Sequence, residues 1–196
     1  MSHLILASAS AARAKLLSGA GLTFDTKPAD IDESALKKTQ LGVAVKTVAQ
    51  VLAQAKAGAV SKDMSDSLVI GADQILECEG KVYDKPSDEE GMRSHLSSLR
   101  GRDHRLVSAV CIAEAGKIIW NHSGSATLTM RNFDDEYIEY YIKQAGVEAQ
   151  SSVGGYCLEG VGVQLFERIE GDYFTILGLP LLPLLAFLRY RKILIA

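Results

Sequence analysis

Helical periodicity is clear in several stretches of the sequence. Between residues 41 and 60, apolar side chains recur every three or four positions, at Ala44, Val48, Val51, Leu52 and Ala55. This spacing puts them on one face and predicts an amphipathic helix. Shorter helices are expected at residues 10–18, 87–99, 134–144 and 181–188. Ser10 is a suitable N-cap for the first, and Ser87-Asp88-Glu89-Glu90 has the capping-box pattern.

Short apolar or alternating runs between these helices predict strands. They lie at residues 4–7, 22–27, 67–76, 81–83, 105–114, 117–130 and 163–169. Ala115-Gly116 has the residue types of a hairpin turn between two of them. Because strands and helices alternate and hairpins intervene, the pattern predicts an α/β fold with a mixed sheet rather than a purely parallel one.

Length and composition narrow the class of protein. The chain has 196 residues, of which 47% are apolar and 23% charged, and this balance excludes disordered and fibrous proteins. No repeat or linker composition marks a boundary, so one domain spanning residues 1–196 is expected. A net charge of −3 argues against a protein held to nucleic acid by a general positive field.

The cysteines and the apolar segments indicate a cytoplasmic protein. Cys78, Cys111 and Cys157 form no C-x-x-C pair, so reduced, buried thiols are expected rather than disulfides or a zinc site. The N-terminus lacks the basic region of a signal peptide. The longest apolar stretch, residues 176–188, contains two prolines and is too short to span a bilayer. This C-terminal segment could serve as a homodimer interface or pack on its own core.

The first strand-to-helix turn is a candidate phosphate site. Ser8 and Ser10 offer hydroxyl donors beside the backbone N–H groups of a helix N-terminus, and Arg13 lies one turn further on. The alternative is a plain serine cap with a solvated arginine. The turn is neither a Walker A loop nor a G-x-G-x-x-G fingerprint.

An acidic residue inside an apolar strand is the second signal. Asp73, after the small residues Gly71 and Ala72, would be costly there unless it is paired or bound to a metal. The small residues would leave room for a ligand to approach the backbone. Glu33 could join Asp73 at a hard cation such as magnesium, which prefers a few carboxylates plus phosphate oxygens. The alternatives are an aspartate that caps a strand end and a solvated acidic loop.

Lysines and a late glycine-rich segment complete the candidate residues. Lys56 on the long helix and Lys85 after the hairpin could, with Arg13, bind a polyphosphate, although most lysines are surface charges. Glu159 lies within residues 154–162, whose glycines would either let backbone approach a ligand or form a β-bulge. No pattern indicates a Ser-His-Asp or Cys-His nucleophile.

Taken together and in order, these segments resemble the Maf family of nucleoside triphosphate pyrophosphatases. The resemblance covers residues 4 to 188. It rests on Leu6-Ala7-Ser8-Ala9-Ser10 with Arg13, Asp32-Glu33, Ala55-Lys56-Ala57, Gly71-Ala72-Asp73-Gln74, Lys85-Pro86, Gly155-Tyr156, Glu159-Gly160, residues 166–171 and Gly178-Leu179-Pro180.

The resemblance implies a fold, a reaction and roles. The fold would be two lobes on an elongated mixed sheet, flanked by helices, with a deep central cleft. The enzyme would be a hydrolase acting on acid anhydrides that converts a nucleoside triphosphate to the monophosphate and pyrophosphate with Mg²⁺ or Mn²⁺. Asp73 would be the base and a metal neighbour, and Glu33 would hold the cation. The phosphates would bind to Arg13, Lys56 and Lys85; substrate would also meet Ser8, Ser10, Gln74 and Glu159.

Two details of the sequence bear on the affinity for phosphate and on which nucleobase the substrate carries. Ala11-Ala12 stands where family members usually have Pro-Arg or Pro-x, which removes a fixed φ at the helix start. Gln74 and Glu159 side with a branch that acts on 7-methyl-GTP rather than one that acts on dTTP and UTP. An inosine-triphosphate-type pyrophosphatase and a non-enzymatic regulator of septum formation in cell division are the competing interpretations.

Overall fold

A computed structural model describes residues 3–40 and 42–195. The strands are β1 (His3–Leu6), β2 (Asp25–Thr26), β3 (Ser67–Cys78), β4 (Lys81–Tyr83), β5 (Asp103–Glu114), β6 (Lys117–Met130) and β7 (Phe166–Glu170). The helices are α1 (Ala11–Gly19), α2 (Glu33–Thr39), α3 (Val45–Lys62), α4 (Glu89–Leu99), α5 (Asp135–Gln150), α6 (Tyr173–Ile176) and α7 (Leu181–Tyr190). Two 3₁₀ segments, Val153–Gly155 and Val161–Leu165, precede β7.

The seven strands form one mixed sheet, which confirms the predicted fold class. Their order is β2-β1-β3-β5-β6-β7, with β4 paired to β3. β1 runs parallel to both β2 and β3, whereas the β3–β4 and β6–β7 pairs are antiparallel. The turn between β5 and β6 has positive φ at Ala115 (47°) and Gly116 (77°), as a two-residue hairpin requires. The predicted hairpin is therefore confirmed.

The chain divides into two units, each with its own core. The first comprises Met1–Gln74, Ser108–Gly124 and Gly178–Ala196, and its buried apolar side chains include Leu6, Leu52 and Leu184. The second comprises Ile75–Val107 and Ser125–Leu177. Its core groups residues of β3, α4, β6 and α5 around Met92 and Tyr141. A cleft shared by two lobes stays a prediction.

In the first unit, α3 packs directly on β3 at Gly71. A Cβ atom on Gly71 would lie 2.2 Å from the carbonyl oxygen of Ala53 and 2.7 Å from the Cβ of Ala57. Ala72 beside it is fully buried. The expectation that these small residues leave room for a ligand is therefore wrong, because the helix backbone fills that space.

Several predicted elements differ in the structure. Helix α2 was not predicted: a solvated loop was the alternative for the acidic segment around Glu33, whereas Glu33 begins a helix whose N-cap, Asp32, accepts from the Ala35 N–H (2.9 Å). Only two residues of the expected strand 22–27 pair with β1. Residues 163–165 are 3₁₀ rather than strand, and α4 is capped by Asp88 rather than by Ser87.

The described cysteines and helices bear on two further expectations. None of the three cysteines is in a disulfide; Cys78 and Cys111 are buried, whereas Cys157 is partly exposed, so the expectation of three buried thiols is wrong for that residue. Burial raises the pKa of Cys111 to about 12. Within residues 3–40 and 42–195, no helix combines the length and the apolar character that a membrane crossing needs.

Candidate active site

The turn between β1 and α1 is organised around two serine hydroxyls. Ser10 is the N-cap of α1, and its Oγ accepts from the Arg13 N–H (3.4 Å), as predicted. The Oγ of Ser8 accepts from the Ser10 N–H (3.3 Å) and from Nη1 of Arg13 (3.0 Å). A hydroxyl has two acceptor lone pairs and one hydrogen. With both lone pairs engaged, Ser8 keeps its O–H as a donor, which suits an anionic ligand.

Arg13 is held inside the first unit rather than extended into solvent. Its guanidinium Nε donates to the carbonyl of Gly178 (2.9 Å), while Nη1 is held by Ser8. The residue is only 8% exposed. Burial lowers the pKa of Arg13, and the negative charges of Asp73 and Glu33 partly oppose that shift. The alternative of a solvated arginine is therefore wrong.

The contact with Arg13 is made at a position where the backbone conformation favours glycine. The φ of Gly178 is +90°, a conformation that other residues rarely adopt. A Cβ there would lie 3.5 Å from Nε of Arg13 and 3.4 Å from Oε1 of Gln74. Glycine therefore lets the backbone carbonyl approach the guanidinium without a side chain filling the space beside it.

A lysine joins the two candidate carboxylates. The Nζ of Lys56, on α3, lies 2.7 Å from Oδ1 of Asp73 on β3 and 3.0 Å from Oε1 of Glu33, the first residue of α2. Lys56 and Asp73 are buried, whereas the Glu33 side chain is 45% exposed. Lys56 therefore does not extend into solvent, and Asp73 lies within β3 instead of capping its end.

Two cations and two carboxylates thus occupy one region of the first unit, with Glu33 toward solvent. Asp73 and Glu33 converge on a single ammonium group, so their oxygens could also converge on a metal ion. Among the described residues, no group of three or more acidic, histidine or cysteine side chains forms a metal cluster. Two carboxylates fit Mg²⁺ or Mn²⁺ in a nucleotide enzyme, because substrate phosphates and water supply the remaining ligands.

Gln74 follows Asp73 on β3 and is oriented by a residue that the sequence reasoning missed. Its Nε2 donates to the buried hydroxyl of Ser108 on β5 (3.1 Å). The amide orientation is assigned from this hydrogen bond. A serine in the middle of a buried strand was the available signal for Ser108. The Gly178 carbonyl was also missed, although Gly178-Leu179-Pro180 stood among the family segments.

Lys85 and Glu159 belong to the second unit, and their substrate roles stay predictions. Lys85 follows β4 and is exposed, and Glu159 is exposed between the two 3₁₀ segments. The glycine-rich segment is not a β-bulge. A Cβ on Gly162 would lie 2.3 Å from the carbonyl oxygen of Cys157, so the chain turns tightly back on itself there.

Comparison with known proteins identifies the family. The sequence profile of the Maf-like protein family matches residues 3–191. The nucleoside triphosphate pyrophosphatase of Paramagnetospirillum magneticum is 48% identical over 190 residues, 94% of this chain and 96% of the relative. The 7-methyl-GTP pyrophosphatase of Mesorhizobium japonicum is 50% identical over 188 residues, covering 95% and 94%. That of Brucella abortus is 49% identical over 191 residues, 96% of each chain. With its profile and its relatives matched along nearly the whole sequence, the chain belongs to the Maf family.

Proposed function

We propose that this chain hydrolyses a nucleoside triphosphate to the monophosphate and pyrophosphate. The observation that carries the proposal is the buried Lys56–Asp73 ion pair, which Glu33 joins. Burying such charges is costly, and strongly interacting charged groups are common where charge must develop during a reaction. Relatives at about half identity named as nucleotide pyrophosphatases support the same reaction.

In the proposed mechanism, Asp73 acts as the general base. Its carboxylate takes a proton from a water molecule whose oxygen forms a bond to the α-phosphorus. The bond from that phosphorus to the bridging oxygen breaks, and pyrophosphate leaves with the bridging oxygen. Arg13 binds phosphate oxygens from a fixed position, because Ser8 and Gly178 hold its guanidinium. Such preorganised positive charge stabilises the transition state.

A divalent cation, Mg²⁺ or Mn²⁺, would be held by Asp73 and Glu33 and would offset negative charge on the phosphates. Lys56 contacts the same two carboxylates, so the ammonium and the cation compete for them. Released from that pairing, Lys56 would contact a phosphate oxygen. Ser8 would donate its remaining O–H to the same phosphate chain, with Ser10 at the helix N-terminus beside it and Lys85 as the third cation.

We propose that the preferred substrate is 7-methyl-GTP rather than dTTP or UTP. Relatives named 7-methyl-GTP pyrophosphatase support this choice. Gln74 and Glu159 would recognise the base, and the hydrogen bond to Ser108 would fix which end of the Gln74 amide faces it. A carboxylate accepts hydrogen bonds from the N–H edge of guanine, which dTTP and UTP do not have.

The test is pyrophosphate release from 7-methyl-GTP, GTP, ITP, dTTP and UTP, with Mg²⁺ or Mn²⁺ and with a chelator. We expect 7-methyl-GTP to be hydrolysed fastest and the chelator to abolish turnover. The double variant Gln74→Thr with Glu159→Gln should move the preference toward dTTP and UTP. Folded protein that releases no pyrophosphate from any of the five, with either metal, would refute the enzymatic proposal.

We also propose that the protein works in the cytoplasm as a homodimer, without nucleic-acid or membrane partners. Large apolar side chains remain exposed on the first unit, among them Leu182 and Tyr190 on α7, Val43 and Ile119. Their exposure supports association between copies. The same helix buries Leu181, Leu184 and Leu188, so α7 packs on its own unit and still presents an outer face.

A further inference from the structure

Half of strand β6 is an open sheet edge. β7 pairs only with Thr127–Met130, at the end of this 14-residue strand. Among residues 3–40 and 42–195, β7 is the only strand on the side of β6 that faces away from β5. Residues 117–124, which belong to the first unit, therefore present backbone N–H and C=O groups that no described strand pairs.

The side chains of this edge are unusual for one that stays unpaired. Natural edge strands are commonly short, or protected by charges or proline. Residues 117–124 carry a charge only at Lys117, contain no proline, and include the run Ile118-Ile119-Trp120. Exposure alternates along the strand, and Ile119 is 37% exposed. The edge is long, and Ile118-Ile119-Trp120 makes part of it β-prone and apolar, which favours pairing with another strand.

Aromatic rings extend the apolar surface from the strand to α7. The indole of Trp120 stacks on Phe187 with ring centroids 5.0 Å apart and on His122 at 6.2 Å. Phe187 in turn contacts Tyr190, which is 81% exposed. The face of β6 that carries Trp120 therefore continues into an exposed aromatic helix face, beside the unpaired backbone.

We infer that this edge is the interface of the proposed homodimer, formed by antiparallel pairing of β6 with β6 of a second copy. The inference rests on the homodimer proposed above. A two-fold axis through Trp120 puts that residue opposite its own counterpart, Ile118 opposite His122, and Ile119 opposite Asn121. The two side chains of each pair then lie on the same face of the sheet, because this register puts even-numbered residues opposite even-numbered ones and odd opposite odd. Trp120, Phe187 and Tyr190 of both copies would line one side of the joined sheet.

The register can be tested by charge placement at Ile119 and Asn121, which the pairing puts opposite each other across copies. In the double variant Ile119→Lys with Asn121→Lys, both cross-strand pairs become Lys opposite Lys, which disfavours pairing. In the matched variant Ile119→Lys with Asn121→Glu, both pairs become Lys opposite Glu. The first substitution is the same in both variants, and neither site lies in the catalytic cluster.

Mass is measured by light scattering after size-exclusion chromatography, with circular dichroism to verify folding. We expect the wild type and the Lys/Glu variant to elute at twice the 21.1 kDa chain mass, and the Lys/Lys variant at the single-chain mass. A dimeric wild type with a dimeric Lys/Lys variant would overturn this interface but not the dimer. A folded Lys/Glu variant that is monomeric would overturn the register. A monomeric wild type would overturn both dimer and interface, while pyrophosphate release would be judged separately.

Discussion

The substitution Asp73→Asn separates the chemical role of this carboxylate from its structural role. The amide has nearly the same shape as the carboxylate but carries no charge and is a far weaker base. It would lie against the Lys56 ammonium, which is 2.7 Å from Asp73 in the native protein. Glu33 remains 3.0 Å from the same ammonium, so Lys56 keeps one charged partner.

The expected effects of Asp73→Asn on turnover and on the free energy of unfolding differ in size. Loss of a general base lowers turnover about 100- to 10,000-fold, equivalent to about 3–5 kcal/mol in the activation barrier. The Coulomb attraction across 2.7 Å is about 6 kcal/mol at an effective dielectric constant of about 20, but desolvation of both groups offsets most of it. Breaking a buried pair and leaving one charge alone costs about 3–5 kcal/mol. Because Glu33 still pairs with Lys56, we expect the free energy of unfolding to fall by about 1–3 kcal/mol.

The assay combines initial rates of pyrophosphate release at saturating substrate with urea unfolding of the same preparations. Asp66→Asn is the matched control, since Asp66 is an exposed aspartate just before β3 and should behave as wild type in both measurements. Turnover of Asp73→Asn within tenfold of wild type would refute the assignment of Asp73 as the base. A loss of turnover that followed only from unfolded protein would do the same.

Three further outcomes are expected. Burial lowers the pKa of His104 to about 4, from 6.5 in the unfolded chain, so the unfolded chain takes up a proton first as the pH falls. The free energy of unfolding should therefore be unaffected by this group above about pH 6.5 and should fall by roughly 3 kcal/mol toward pH 4. The variant His104→Gln, which can still hydrogen bond to Tyr156, should flatten that part of the pH profile measured by urea unfolding. An unchanged slope in the variant would contradict the assignment to His104. Gly71→Ala should lower the free energy of unfolding by at least about 2 kcal/mol, because its Cβ would meet helix backbone. Gly58→Ala is the control, because Gly58 lies on α3 with open space around it; this change should raise the free energy of unfolding by about 0.5–1 kcal/mol, and equal effects of the two substitutions would show that packing against α3 does not limit residue 71. A thiol reagent should label one cysteine, Cys157, in native protein and three in urea, whereas rapid native labelling of a second thiol would contradict the described burial.

Local patterns predicted most of the fold. The periodicity of α3, the alternation along β6 and the turn residues Ala115 and Gly116 depend on neighbours a few positions away, so sequence spacing carries them. The misassigned segments depend on contacts that spacing does not encode. Residues 163–165, the start of a predicted strand, belong to a 3₁₀ segment in which Gly162 approaches the Cys157 carbonyl closely, and the pattern of the strand gave no sign of that contact.

For the candidate site too, some features could be predicted from the sequence and others depend on contacts that form only in the folded chain. Residue type and place in a strand or helix made Arg13, Lys56 and Asp73 candidates, and the family resemblance implied their roles. Their partners were not recognisable, because α3, β3 and α2 meet only in the folded chain, and that meeting pairs Lys56 with two carboxylates at once. A backbone acceptor such as the Gly178 carbonyl leaves no mark in a sequence beyond the glycine itself.

The hydrogen bond from Arg13 to Gly178 joins positions 165 residues apart, and this separation has a consequence for protein synthesis. Ribosomes add about 5–20 residues per second, so the arginine waits roughly 10–30 s for its acceptor. During that interval the serine turn and α1 can form, but the guanidinium is anchored only at Ser8. We therefore expect nascent chains to be inactive toward cellular nucleotides until the segment that contains Gly178 has been made.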